Sequence, residues 1–173
     1  MSKLNRRGFL QTTSTVAAAG SMGVFTSAPV VLANTPNERP KVAVIGCGGQ
    51  GTGDGRRATS FGDIVAVCDV DTSHSAYAKA AYTRRMAASG REVDIDVYDD
   101  YRAIIDRADI DAIICGTVDH WHVKISAEAL RSGKDVYCEK PLTLTVDEGR
   151  IISKVASETD RILQVGTQQR SDP

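Results

Sequence analysis

Neither sign of charge dominates this sequence. Its 173 residues carry 21 Lys and Arg against 22 Asp and Glu, a formal net charge of −1. That balance lacks the basic footprint of a nucleic-acid binder and the cationic face of a membrane-surface protein. No Cys-x-x-Cys pair and no zinc-type ligand spacing occurs among the 4 cysteines, so no metal site is expected. No internal repeat or low-complexity tract follows the first 40 residues. The most apolar early stretch, Thr12–Val31, is too interrupted by Ser, Thr and Gly to make a good membrane span.

That stretch has another reading. Asn5-Arg6-Arg7-Gly8-Phe9-Leu10-Gln11 resembles a twin-arginine export signal, and Val31-Leu32-Ala33 offers the small residues a signal peptidase prefers. Cleavage is expected after Ala33, with Ala28 as the alternative. The three segments are then a signal peptide at 1–33, a polar linker at 34–40 and one domain at 41–173. Removing residues 1–33 takes away Lys3, Arg6 and Arg7 and no acid, leaving 18 bases against 22 acids, near −4. The expected product is exported and periplasmic, uses the twin-arginine machinery, and has no membrane span once mature.

The informative segment is Val42-Ala-Val-Ile-Gly-Cys-Gly-Gly-Gln-Gly51 followed by Val65-Ala-Val-Cys-Asp69. An apolar strand, then Gly46-x-Gly48-x-x-Gly51, then a second strand ending in an acid is a dinucleotide-binding fingerprint. Gly46 permits the tight turn, and Gly48 leaves room for a pyrophosphate. Gly51 allows close packing of helix on strand. The free N–H groups of that helix's first turn, which includes Gly49 and Gln50, meet the phosphates. Asp69 can accept hydrogen bonds from the adenine ribose.

Further along, strand-like runs at Lys41–Ile45, Ile64–Cys68, Ala112–Cys115, Asp135–Cys138 and Ile162–Val165 alternate with helical stretches. Those stretches are Ser73–Ala88, Asp100–Asp106, His122–Ser132 and Thr145–Thr159, and Val97-Tyr98 can pair as one more strand. Gly133 suits a helix C-cap, and Thr145 with Glu148 a capping box. Val146, Ile151, Ile152 and Val155 form a stripe expected in the core. The fold class is α/β, a doubly wound parallel-sheet Rossmann domain binding at its strands' carboxyl ends. The four cysteines fall in or just after strands, and read as small apolar residues near that edge.

The unusual residues collect at those ends. Gly116-Thr117-Val118-Asp119-His120-Trp121-His122 follows one strand, Glu139-Lys140-Pro141 another, and Gly166-Thr167-Gln168-Gln169-Arg170 a third. Together with the fingerprint, the Asp119-His120-x-His122 loop and Ala129-Leu130-x-x-Gly133-Lys134, the Glu139-Lys140-Pro141 element resembles the Gfo/Idh/MocA oxidoreductases from about Lys41 onward. The resemblance implies a second, α+β substrate domain beginning where this chain ends, at Pro173, so the chain is expected to be a fragment inactive alone. It also implies a homo-oligomer for the full-length protein. Lys140 is implied to contact nicotinamide and substrate hydroxyl and to relay its proton, with His122 also catalytic. Pro141 is implied to follow a cis peptide bond, and Glu139 to orient the cofactor amide or ribose. Thr117, His120 and His122 are implied to line the cofactor, and Trp121 and Gln168 to border the sugar or polyol. Val118 stands where members often carry Pro, so the path of that loop is left open.

Asp69-Val70-Asp71 would repel a 2′-phosphate, which favours NAD, while Arg56 and Arg57 leave NADP open. Free NAD is scarce outside the cytoplasm, so an exported enzyme is expected to hold its cofactor and restore it in place. Coupled oxidation and reduction of sugars or polyols is the first reading. A redox-neutral glycoside hydrolase and a non-catalytic nucleotide-binding protein are the alternatives.

Overall fold

The structure, a computed structural model, describes residues 39–170. The twin-arginine segment at 1–33 and most of the linker lie outside them. Six strands form one parallel sheet: β1 Lys41–Ile45, β2 Asp63–Cys68, β3 Asp96–Tyr98, β4 Ala112–Cys115, β5 Asp135–Glu139 and β6 Leu163–Gly166. Their spatial order is β3-β2-β1-β4-β5-β6. The chain returns to the middle between β3 and β4, so β1 and β4 flank the switch point of a doubly wound fold.

Alternation along β1 explains why both faces must be covered. Val42 and Val44 join one core cluster with Ile64, Val67, Ala78, Tyr82 and Met86. Ala43 and Ile45 join the other, with Ile113, Ile125, Leu130 and Ile152. The covering helices are α1 Gly49–Ala58, α2 Thr72–Ala87, α3 Arg102–Ile105, α4 His122–Arg131 and α5 Val146–Glu158. Crossovers of this kind bury a parallel sheet on both sides, which suits its continuous apolar strands.

Boundaries agree with the sequence reading to within a residue or two, and β5 extends to include Glu139. Gly133 has φ +82° just past α4. The capping box closes as expected, with the Glu148 amide donating to Thr145 Oγ1 at 3.2 Å and the Thr145 amide to Glu148 Oε2 at 3.2 Å. The expected apolar stripe of α5 is corrected. Ile152 and Val155 are buried, but Val146 and Ile151 are 74 % and 50 % exposed. At about 100° per residue, Val146 lies roughly opposite Val155, so the four never share one face. Ile162 also turns outward, and β6 begins one residue later than expected.

Candidate dinucleotide site

The turn after β1 leaves no room for side chains on its inner side. Gly46 has φ +86°, and a Cβ there would lie 2.5 Å from the Thr117 amide nitrogen. A Cβ on Gly51 would overlap the Gly46 carbonyl oxygen, and one on Gly116 would lie 2.6 Å from the Gly51 Cα. Strand β1, helix α1 and the β4 loop therefore meet backbone to backbone. The outer side is the reverse: a Cβ on Gly48 or Gly49 would meet nothing within 4 Å. Gly48 is the N-cap of α1 and makes no side-chain cap. The helix start thus offers backbone N–H groups and a positive dipole end to open space, an arrangement suited to a pyrophosphate.

Asp69 faces this turn. Its Oδ2 accepts from the Cys47 amide at 2.6 Å, and its Oδ1 from the Asp71 amide at 2.9 Å. Two bonds leave a carboxylate with acceptor capacity to spare. Beside it, a cavity of about 320 Å³ is lined by Cys47, Gly48, Gly49, Thr52, Arg56, His74 and Tyr77. Arg56 Nη2 donates to the Tyr77 hydroxyl at 2.7 Å, and its guanidinium stands 5.5 Å from the centre of that ring. His74 Nδ1 lies 3.7 Å from Asp69 Oδ2. The fingerprint carries no signal for Tyr77 or His74, because α2 brings them in through tertiary packing.

Across the switch point, Glu139 and Lys140 end β5. Glu139 is buried at 3 % exposure, while Lys140 is exposed and joined to Pro141 by a cis peptide bond, as expected. The Glu139 Oε1 accepts from the Tyr137 hydroxyl at 3.1 Å and lies 3.4 Å from the Gln50 amide nitrogen. Its Oε2 accepts from the Lys140 amide at 3.2 Å. Tyr137 also reaches Gln168 Oε1 at 3.1 Å. Burial, and after it the Glu139 charge, pushes the Tyr137 hydroxyl well above its ordinary pKa. Gln50, Glu139, Lys140 and Gln168 are therefore one neighbourhood, although 89 residues separate Gln50 from Glu139. Asp54, joined to Gln50 within α1, belongs to it too and carried no signal in the sequence.

His122 has a different place from the one expected. It is 2 % exposed, with Nδ1 2.7 Å from the Pro141 carbonyl oxygen and Nε2 3.1 Å from that of Thr117. Both ring nitrogens face backbone carbonyl oxygens, and the neutral ring donates to one of the two. His122 thus stands between the β4 loop and the Lys140-Pro141 turn as a brace. His120 is exposed beside Asp119, and Trp121 stands edge-on to Tyr101 with centroids 6.0 Å apart. These two do not join the Gln50–Glu139 neighbourhood.

Beneath the brace, ligand atoms of Cys115, Cys138 and His122 lie within 4.8 Å of one another, a convergence the spacing did not announce. Cys115 and Cys138 are register partners on β4 and β5, and both are free thiols, as are Cys47 and Cys68. A hydrogen bond from Cys138 lowers the Cys115 thiol to about 7, and Cys138 is raised in turn. The His122 nitrogens face the Pro141 and Thr117 carbonyls, Cys115 Sγ lies 3.6 Å from Thr117 Oγ1, and Cys138 Sγ lies 3.6 Å from the Glu139 carbonyl oxygen.

The same fold and sequence pattern recur in known proteins. Inositol 2-dehydrogenase from Klebsiella pneumoniae subsp. pneumoniae is 34 % identical over 131 residues, covering 73 % of this chain and 36 % of that protein. Inositol 2-dehydrogenase 2 from Saccharopolyspora erythraea is 32 % identical over 136 residues, 76 % of this chain and 37 % of its own length. The solved myo-inositol 2-dehydrogenase from Lactobacillus plantarum superposes with a TM-score of 0.67 at 28 % identity, covering 78 % of this chain and 38 % of that one. The myo-inositol dehydrogenase from Lactobacillus casei, solved with NAD(H) and myo-inositol, gives 0.66 at 28 % identity over 78 % and 38 %. The chain thus spans a little over a third of the length of these relatives. A family model described as oxidoreductase family, NAD-binding Rossmann fold, matches residues 40–167. On this match and the glycine cradle opposite Asp69, the chain belongs to the Gfo/Idh/MocA oxidoreductase family and carries its NAD-binding Rossmann domain.

Proposed function

We propose that this chain is the nucleotide-binding part of an NAD(H)-dependent oxidoreductase acting on a polyol or sugar hydroxyl. The observation that carries the reading is the open backbone cradle at Gly48 and Gly49, with Asp69 on one side of the switch point and Lys140 on the other. Asp69 binds the adenosine ribose, and the first turn of α1 holds the phosphates. Asp69 followed by the acid Asp71 disfavours a 2′-phosphate. Arg56 and Arg57, the nearest cations on α1, already pair with Tyr77 and Asp54, which supports NAD over NADP.

Bound NAD(H) supplies the hydride acceptor or donor. Lys140 holds the substrate hydroxyl and takes its proton as the carbonyl forms. Glu139 fixes the backbone at Lys140 through its amide, and His122 fixes the next residue through its carbonyl. The polyol class rests on the inositol dehydrogenase relatives, and the two braces support Lys140 as the residue held in register. The twin-arginine motif at Arg6-Arg7 supports export to the periplasm with cofactor already bound.

Nucleotide released from the denatured native protein, identified by mass, tests the reading. About one NAD(H) per chain is expected, and an empty protein without affinity for NAD(H) would overturn it. Lys140→Ala is expected to leave NAD binding within about twofold. It should lower myo-inositol-dependent NADH formation by about 10²-fold or more.

A further inference from the structure

A buried carboxyl pair lies where α1 meets the carboxyl end of β5, and none of the roles above uses it as a pair. Asp54, in the second turn of α1, and Glu139 are 6 % and 3 % exposed. The Gln50 amide nitrogen sits between them, 3.2 Å from each Asp54 carboxyl oxygen and 3.4 Å from Glu139 Oε1. The groups that face the pair come from four places. From α1, Arg57 Nη1 lies 3.0 Å from Asp54 Oδ1, but its side chain is 71 % exposed, so solvent screens it. From β5, the Tyr137 hydroxyl donates to Glu139 at 3.1 Å. From the turn after β6, Gln168 is held to the same hydroxyl, and Lys140 follows Glu139 directly with its amide on Oε2. Two buried carboxyl groups that meet one amide nitrogen cannot both ionise without a cost. Burial first, then the charge and hydrogen bonding of Glu139, hold the Asp54 carboxyl above its ordinary range.

We propose that Asp54 keeps its proton against the buried Glu139 and releases it when oxidised nicotinamide binds, so that NAD⁺ binds with proton release and NADH without. The inference rests on the nucleotide-binding reading. Asp69 marks the adenosine end on the β2 side, and a dinucleotide crossing the switch point brings its other end over β4 and β5, where Glu139 stands. The nicotinamide ring is cationic only when oxidised. A positive charge near the pair favours its fully ionised form, and the displaced proton goes to solvent. No electron moves in this step. By linkage, NAD⁺ affinity rises with pH by up to about tenfold per unit within the pair's window, while NADH affinity does not.

Calorimetric titration of the purified protein with NAD⁺ and with NADH, in two buffers of different ionisation enthalpy at one pH, tests this. The expected result is buffer-dependent heat for NAD⁺, up to about one proton released, and none for NADH. Asp54→Asn should abolish the release while the variant still binds both nucleotides. Equal proton counts for the two nucleotides, or release that persists in a folded Asp54→Asn variant, would overturn the inference and leave nucleotide binding intact. If that variant does not fold, the unmodified protein decides: an NAD⁺/NADH affinity ratio flat from about pH 4 to 9, the span open to a raised carboxyl, overturns the inference. Failure of both nucleotides to bind would remove the nucleotide-binding reading, and the inference with it.

Discussion

At Gly51 and Gly53, two glycines of the same helix, an added methyl group meets opposite surroundings. At Gly51 it would overlap the Gly46 carbonyl oxygen, a backbone atom that cannot swing aside. Gly51→Ala is expected to cost more than about 2 kcal/mol in denaturant unfolding. At Gly53 nothing lies within 4 Å, so Gly53→Ala should stabilise by about 0.5–1 kcal/mol through helix propensity. Asp69→Ala is expected to weaken NAD binding by about 1–3 kcal/mol in calorimetry, the value of charge-assisted bonds to a ribose. The packing of Gly46 and Gly51, and the place of Asp69 beside that turn, were legible because such arrangements are local and recur at fixed spacing. Asp54 was not. An acid on a glycine-rich helix reads as solvated until the fold brings Glu139 against the same Gln50 amide.

At the scale of elements, α5 separates what periodicity shows from what it does not. Its start was readable, since a Thr with Glu three residues on has one strong local use, and Thr145→Ala should cost about 1 kcal/mol. Its buried face was only half readable. Ile152→Ala should cost about 2–4 kcal/mol, and Ile151→Ala, one position away, less than about 0.5 kcal/mol, both from denaturant midpoints. Apolar residues alone did not fix that face, because α5 meets α4 and the sheet along a narrow strip set by tertiary packing. His122 teaches the same lesson. Its loop was correctly placed after β4, at the carboxyl end of the sheet, while the two carbonyls its ring faces come from tertiary packing that spacing does not show.

For the whole molecule, the parallel sheet and its helical cover followed from alternating elements, since parallel strands need crossovers, while the strand order came only with the structure. The price of so closed a sheet shows at alkaline pH. Burial, with the Asp69 charge second, pushes the thiols of Cys47 and Cys68 up to about 12 from an ordinary 9.0. In the unfolded chain they ionise near 9, so between about 9 and 12 the folded state holds protons that the unfolded state has lost. Stability should be full below about pH 9 and fall by up to about 1.4 kcal/mol per pH unit for each thiol above it. Denaturation curves across that range check this, and replacing both cysteines with Ala should flatten the fall. The brace at His122 has a consequence on a longer timescale. Because one ring ties the Thr117 carbonyl to that of Pro141, the two loops are one inheritance. A lineage that reshapes residues 117–122 must revise residues 139–141 in step, and an engineer grafting either loop onto a relative would have to transplant both.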